Sequence, residues 1–243
     1  MKIPFISMQL LKTLFYILKG EVSIWKTLVF NFHYLPMLSA FKLPILIFNN
    51  VKLAALKGKV VLDSALVKTG MVYIGKKYYG FQKSTDTTIW EQRGGVVRFQ
   101  NNVVFGQGSF VYIGKNGELN LEEGMRNGGN SKLICTDSIT IRRDARIAWD
   151  VTIMDTDFHE CININTGQRT TAHKPVVIGE HNWICFGCVI LKGTVTPDFC
   201  IVGTKALLNK NYLKEGKYVM LSSTSSTEAR IKGIYRDLNS HVL

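Results

Sequence analysis

The stretch VVIGEHNWICFGCVILKGTVTPDFCIVGTKALLNKNY, residues 176–212, decides the fold. Within it Ile178, Ile184, Ile190, Thr196, Val202 and Leu208 recur every six residues. The same spacing runs through ITIRRDARIAWDVTIMDTDFH, residues 139–159, at Ile141, Ile147 and Ile153. Eight of these nine leads are Ile, Val or Leu, where about a quarter would follow from ordinary usage. Four residues after a lead the side chain is mostly small: Ala145, Val151, Cys188, Thr194, Cys200 and Ala206. A helix has no six-residue period, and a flat strand repeats every two. A chain that turns a corner every six residues, with an aliphatic side chain inward and a small one at the bend, makes a triangular coil. Stacked coils turn the aliphatic ladder into a core.

These two segments resemble the hexapeptide-repeat acyltransferases, and among them the O-acetyltransferases of capsule, lipopolysaccharide and sugars. The resemblance implies an all-β solenoid, a left-handed parallel β-helix. It is strong over roughly residues 97–212 and thinner over 60–96, where only Val60–Leu62 and Val72–Ile74 alternate. The family's Gly-Asp-Asn after a lead stands here as Arg142-Arg143-Asp144 and Gly179-Glu180-His181-Asn182, departures that fall at corners. The expected organisation is a helical, aromatic segment at 1–58, a solenoid at 59–212 and a tail at 213–243. The tail resembles the family's closing strand and helix, with Ala229 and Arg230 as remnants of its usual motif.

From Ile153 to Ile178 the ladder misses its phase, and 160–177 reads as an excursion loop with Gly167 and a closing Pro175. It begins at VTIMDTDFHE, where Asp155, Asp157 and His159 alternate and would share one face of an extended chain. Moving an acyl group from a thioester to a hydroxyl needs a base for the hydroxyl proton. Histidine suits that role, and a carboxylate on its second nitrogen would fix the tautomer. In the resembled family a histidine at this exit is the base and transfer is direct, which implies His159, oriented by Asp157 or Asp155. His173 and His181 are weaker candidates, and His33 and His241 read as ordinary.

The resemblance also implies acetyl-CoA as donor, with no metal. It places the thioester against the backbone N–H near Phe186 and a backbone contact at Thr204. Trp183 falls beside the active-site tunnel or is a plain corner aromatic. Lys205, Asn209 and Lys210 fall near the nucleotide phosphates or are solvated corner positions. Asn130, and less well Asn127, match an asparagine that binds sugar hydroxyls, although NGGN is also strong turn chemistry. Cys185 and Cys188 form a lone CxxC without a second pair, and read as coil filling. A homotrimer with sites between subunits and a carbohydrate acceptor complete the expectation.

Net charge is +12, and residues 1–60 hold eight Lys against one Glu. No Arg falls there and no nucleic-acid motif accompanies it, which disfavours nucleic acid and favours a membrane surface. Leu10, Leu11, Leu14 and Leu18 stripe one helix face, and Ile3–Leu18 is short for a bilayer span. The segment therefore reads either as an interfacial anchor on the cytoplasmic membrane face or as a cap over the solenoid's open end. Five cysteines without disulfide-scaffold spacing suit a reducing cytoplasm. Two other functions fit a hexapeptide solenoid: a γ-class carbonic anhydrase, requiring three converging histidines, and a non-catalytic binding solenoid. The latter has no use for the DTDFH exit.

Overall fold

The computed structural model describes residues 13, 15–78, 85–223 and 227–232. The nine ladder residues from Ile141 to Leu208 are all buried, and so are the six small residues that follow the bends. Immediately before each of the six the backbone enters the left-handed region, at Asp144, Asp150, Gly187, Gly193, Phe199 and Lys205, and it does so again at His181 before Asn182, with φ between 53° and 78°. The sequence period is therefore a period of corners. A small side chain is needed next because it lies inside the bend.

Three faces result, forming a left-handed parallel β-helix. Face one stacks β1 (Ile45–Ile47), β3 (Val72–Lys76), β5 (Val103–Gly106), β8 (Arg126–Asn127), β11 (Arg146–Ile147), β14 (Trp183–Ile184), β16 (Ile201–Val202) and β18 (Val219–Ser223). Face two carries β6 (Phe110–Ile113), β9 (Lys132–Cys135), β12 (Thr152–Met154), β15 (Val189–Ile190) and β17 (Leu207–Leu208). Face three carries β7 (Glu118–Leu121), β10 (Ser138–Ile141) and β13 (Val176–Ile178), extended by bridges at Val195 and Asn211. Two long strands, β2 (Val51–Leu62) and β4 (Thr88–Phe99), bend across the corner between faces two and three. In β4, residues 89–92 pair with β6 and residues 96–99 with β7. The corner falls at Gly94-Gly95, where Gly95 has φ +65° and an added Cβ would collide with Gly117 O.

The first coil starts at Ile45, inside the segment expected to be helical. Its core is aromatic: Trp90 packs against Phe30, Phe99 and Phe105 at 5.6, 6.1 and 6.0 Å. That filling explains why the aliphatic ladder fades toward the amino-terminal coils. The open end is sealed by α1 (Ile24–Tyr34) and α2 (Met37–Ala40). Ser23 caps α1 by accepting from Lys26 N, and Leu35 leaves the helix in extended form before Pro36. Strand β1 is the edge of its sheet, and α1 satisfies that edge with polar side chains. Asn31 donates to Ile45 O (2.7 Å) and accepts from Ile45 N (3.2 Å), while Thr27 Oγ1 accepts from Ile47 N (3.0 Å).

Of the leucine stripe, Leu18 is exposed, while Leu10, Leu11 and Leu14 lie outside the described residues. Among the described residues no helix is long and apolar enough to cross a membrane. At the other end β18 pairs antiparallel with β19 (Thr227–Lys232), so Ala229 and Arg230 lie on a second strand rather than a helix.

Candidate functional site: a hairpin and a groove on different corners

The excursion occupies residues 155–175, between β12 and β13 at the corner of faces two and three. It is a hairpin: Thr156 bridges His173 and Ile162 bridges Arg169, antiparallel in both cases. Asp157 N donates to Ala172 O at 3.0 Å, and Asn163 Oδ1 accepts from Asn165 N and Thr166 N at the tip.

The three polar residues of DTDFH do not share one face. Strand β12 ends at Met154 and Phe158 takes φ +60°, so the alternation breaks before it reaches His159. Asp155 is fully buried, accepting from Thr136 N (2.9 Å), Thr136 Oγ1 (3.0 Å) and Asp137 N (2.8 Å). It holds the corner of the coil below, with both carboxylate oxygens occupied there. Asp157 is exposed and pairs with Lys192 Nζ at 2.5 Å; the same ammonium donates to Thr171 O at 2.5 Å. Lys192 thus clamps both strands of the hairpin to the solenoid. His159 is exposed on the hairpin.

His173 has a carboxylate relay that the sequence did not reveal. Its Nδ1 lies 2.9 Å from Thr136 Oγ1, whose proton goes to Asp155. The ring therefore donates Nδ1–H, leaving Nε2 as an acceptor. His181 lies at a corner, stacked on Phe199 at 4.7 Å and 3.8 Å from Asp144.

A groove of about 680 Å³ follows the corner between faces one and two, beside Arg126, Asn127, Arg146, Trp183, Phe186 and Thr204. Trp149 and Phe186 stack nearly parallel, 8° apart with ring centres at 5.4 Å. Of the residues expected to bind donor or acceptor, Trp183, Phe186, Thr204 and Asn127 are brought together here. Asn127 is buried and its Oδ1 accepts from Gly129 N (2.7 Å), so its side chain holds the turn. Asn130 is an exposed corner residue with φ +48°, outside the groove lining. Lys205 adjoins the groove, its N–H bonded to Phe186 O. Asn209 and Lys210 follow β17 on the hairpin's corner instead.

All five cysteines are free thiols. Burial raises the Cys188 thiol to about 11, and its Sγ lies 3.1 Å from Gly203 O. Cys185 is also shifted upward by burial. Neither is activated, as expected of coil filling. Among the described residues no three His, Cys, Asp or Glu side chains cluster closely enough to hold a metal ion.

No family model matches the chain. A polysialic acid O-acetyltransferase of Neisseria meningitidis is 33% identical over 67 residues, spanning 27% of this chain and 31% of that relative. The matched stretch therefore covers under a third of the curated relative. Among solved structures, the polysialic acid O-acetyltransferase OatWY superposes with a TM-score of 0.54 at 17% identity, covering 79% of this chain and 90% of that one. The chain thus has a left-handed parallel β-helix fold that it shares with OatWY, and a stretch of its sequence is similar to a polysialic acid O-acetyltransferase.

Proposed function

We propose that the protein is an O-acetyltransferase that moves an acetyl group from acetyl-CoA to a sugar hydroxyl of a surface polysaccharide or its precursor. The observation that carries this reading is the division of the site. A histidine-bearing hairpin stands at one corner, and an aromatic groove ending at Phe186 and Thr204 runs along another. The two lie on different corners of one chain, and a three-fold ring of copies would bring each hairpin to a neighbour's groove. His159 takes the hydroxyl proton as the sugar oxygen attacks the thioester carbonyl. The C–S bond breaks, coenzyme A leaves as thiolate, and the imidazolium returns the proton to it. The products are the acetyl ester and the free thiol. A second reading gives the base role to His173, favoured by its relay through Thr136 to Asp155.

The test is acetyl transfer from acetyl-CoA to a panel of capsule and lipopolysaccharide repeat units. His159→Ala should lower turnover about 100-fold or more while leaving acetyl-CoA binding unchanged. Loss in His173→Ala with retention in His159→Ala would transfer the role. Sedimentation at micromolar concentration should give a trimer, and a monomer would remove the shared site.

The cap also supports attachment to the cytoplasmic face of an anionic membrane. Its inner side seals the first coil, and its outer side exposes Trp25, Met37, Leu38 and Phe41 beside Lys42. Vesicles containing anionic lipid should retain the protein at low salt and release it as salt rises. Absence of co-sedimentation would leave these helices as a cap alone.

A further inference from the structure

We propose that the lower part of the groove is an acceptor subsite for a sugar that bears a carboxylate, with Arg126 as its principal anchor. This rests on the transferase reading and specifies its acceptor. Arg126, Arg146, Trp183 and Ile201 form one column on face one, paired rung to rung on successive coils. Each precedes an inward-facing residue, so by strand alternation each points outward. Arg146 already leans on Asp144 Oδ1 at 3.6 Å and on Gly124 O. Arg126 is less well supplied. Its Nη2 reaches Asn102 Oδ1 at 3.4 Å, its Nε is buried without a hydrogen-bond partner, and among the described residues no carboxylate pairs with it.

Arg126 nevertheless lines the groove, and the terminal donors of a planar guanidinium match a carboxylate. The stacked Trp149–Phe186 pair and the adjacent Trp183 supply a flat apolar wall against which a pyranose ring can lie. Position separates this subsite from the donor. Thr204 belongs to the coil of Ile201, so Arg146 lies two rungs below it and Arg126 three, about 10 and 14 Å at the spacing of paired strands. A carboxylated sugar held there extends toward the thioester end of the groove.

Titration calorimetry on the intact protein tests this without turnover. The probes are oligomers of sialic acid and of galacturonic acid, with their carboxyl-reduced forms as neutral controls. At least one acidic oligomer should bind, and its reduced form should bind ten- to a hundredfold more weakly. Arg126→Gln should weaken the acidic oligomer by a similar factor, and Arg126→Lys by less. Both should retain the wild-type melting profile and acetyl-CoA affinity. Equal binding of acidic and reduced oligomers, or failure of both acids to bind, would overturn the proposal. So would an Arg126→Gln loss that falls on acetyl-CoA, which would assign the guanidinium to the donor's phosphates. Acid binding without acetyl transfer would leave this subsite standing and remove the transferase reading; transfer to neutral sugars without acid binding would do the reverse.

Discussion

Replacing Lys192 with methionine should loosen the hairpin while sparing the solenoid. The side chain is largely buried and grips Asp157 Oδ2 and Thr171 O, both at 2.5 Å. Its partner carboxylate is 47% exposed, so on losing the ammonium it returns to water rather than being stranded. The ion pair is then worth about 0.5–1 kcal/mol and the hydrogen bond to Thr171 about 0.5–1.5 kcal/mol. A docked hairpin weakened by about 1–2.5 kcal/mol is populated about 5–70-fold less relative to its undocked form. Turnover should fall within that factor, short of the loss in His159→Ala, and the melting temperature should barely move. Hydrogen exchange should accelerate at the amides of Asp157 and Thr170, which donate across the hairpin to Ala172 O and Cys161 O, and stay slow at Ile184 in the core. Unchanged exchange at those two amides would refute the clamp, as would a loss of activity as large as that of His159→Ala.

Asp155→Ala should destabilise the fold by about 3–5 kcal/mol, because it strands the donors on Thr136 and Asp137; a chemical melt close to wild type would remove its corner role. Asp157→Asn, at an exposed position, should leave the same melt nearly unchanged. Ile184→Ala should cost about 2–5 kcal/mol from a fully buried ladder position, read by the same denaturant midpoint. Burial raises the thiols of Cys188 to about 11 and Cys200 to about 12. Unfolded thiols ionise near 8.5, so their contribution is complete below about pH 8.5 and is lost as pH rises through the folded values. Between about pH 8.5 and its folded value each thiol should lower stability by about 1.4 kcal/mol per pH unit; Cys200→Ala should flatten that fall, and stability independent of pH from 8 to 11 would contradict the assignment.

The ladder from Ile141 to Leu208 was legible because one inward residue per face leaves a period that no helix or flat strand produces. The first coil was not, because β2 sets lysines at 52, 57 and 59 among its apolar residues and bends at a glycine, Gly58. The chain exit at DTDFH was visible, but not the partners of its carboxylates. Thr136 and Lys192 lie on the neighbouring coils, and nothing in their local sequence marks them. The arginine column did leave a signal: the residues one before Ile147, Ile184 and Val202 are Arg146, Trp183 and Ile201. Of these outward positions, Arg146 and Trp183 line the groove, while Ile201 is buried beyond it.

The most direct measurement of a shared acetyl-transfer site mixes two inactive variants. His159→Ala retains the groove and Trp183→Ala retains the hairpin, and subunits of the two are exchanged before acetyl-CoA and polysaccharide are added. Each variant alone should give little acetylated sugar by mass spectrometry. Random assortment around a three-fold ring should restore about a quarter of the wild-type rate, since that share of sites pairs an intact hairpin with an intact groove. No recovery after verified subunit exchange, or acetyl transfer by a monomer, would contradict a site divided between neighbouring copies.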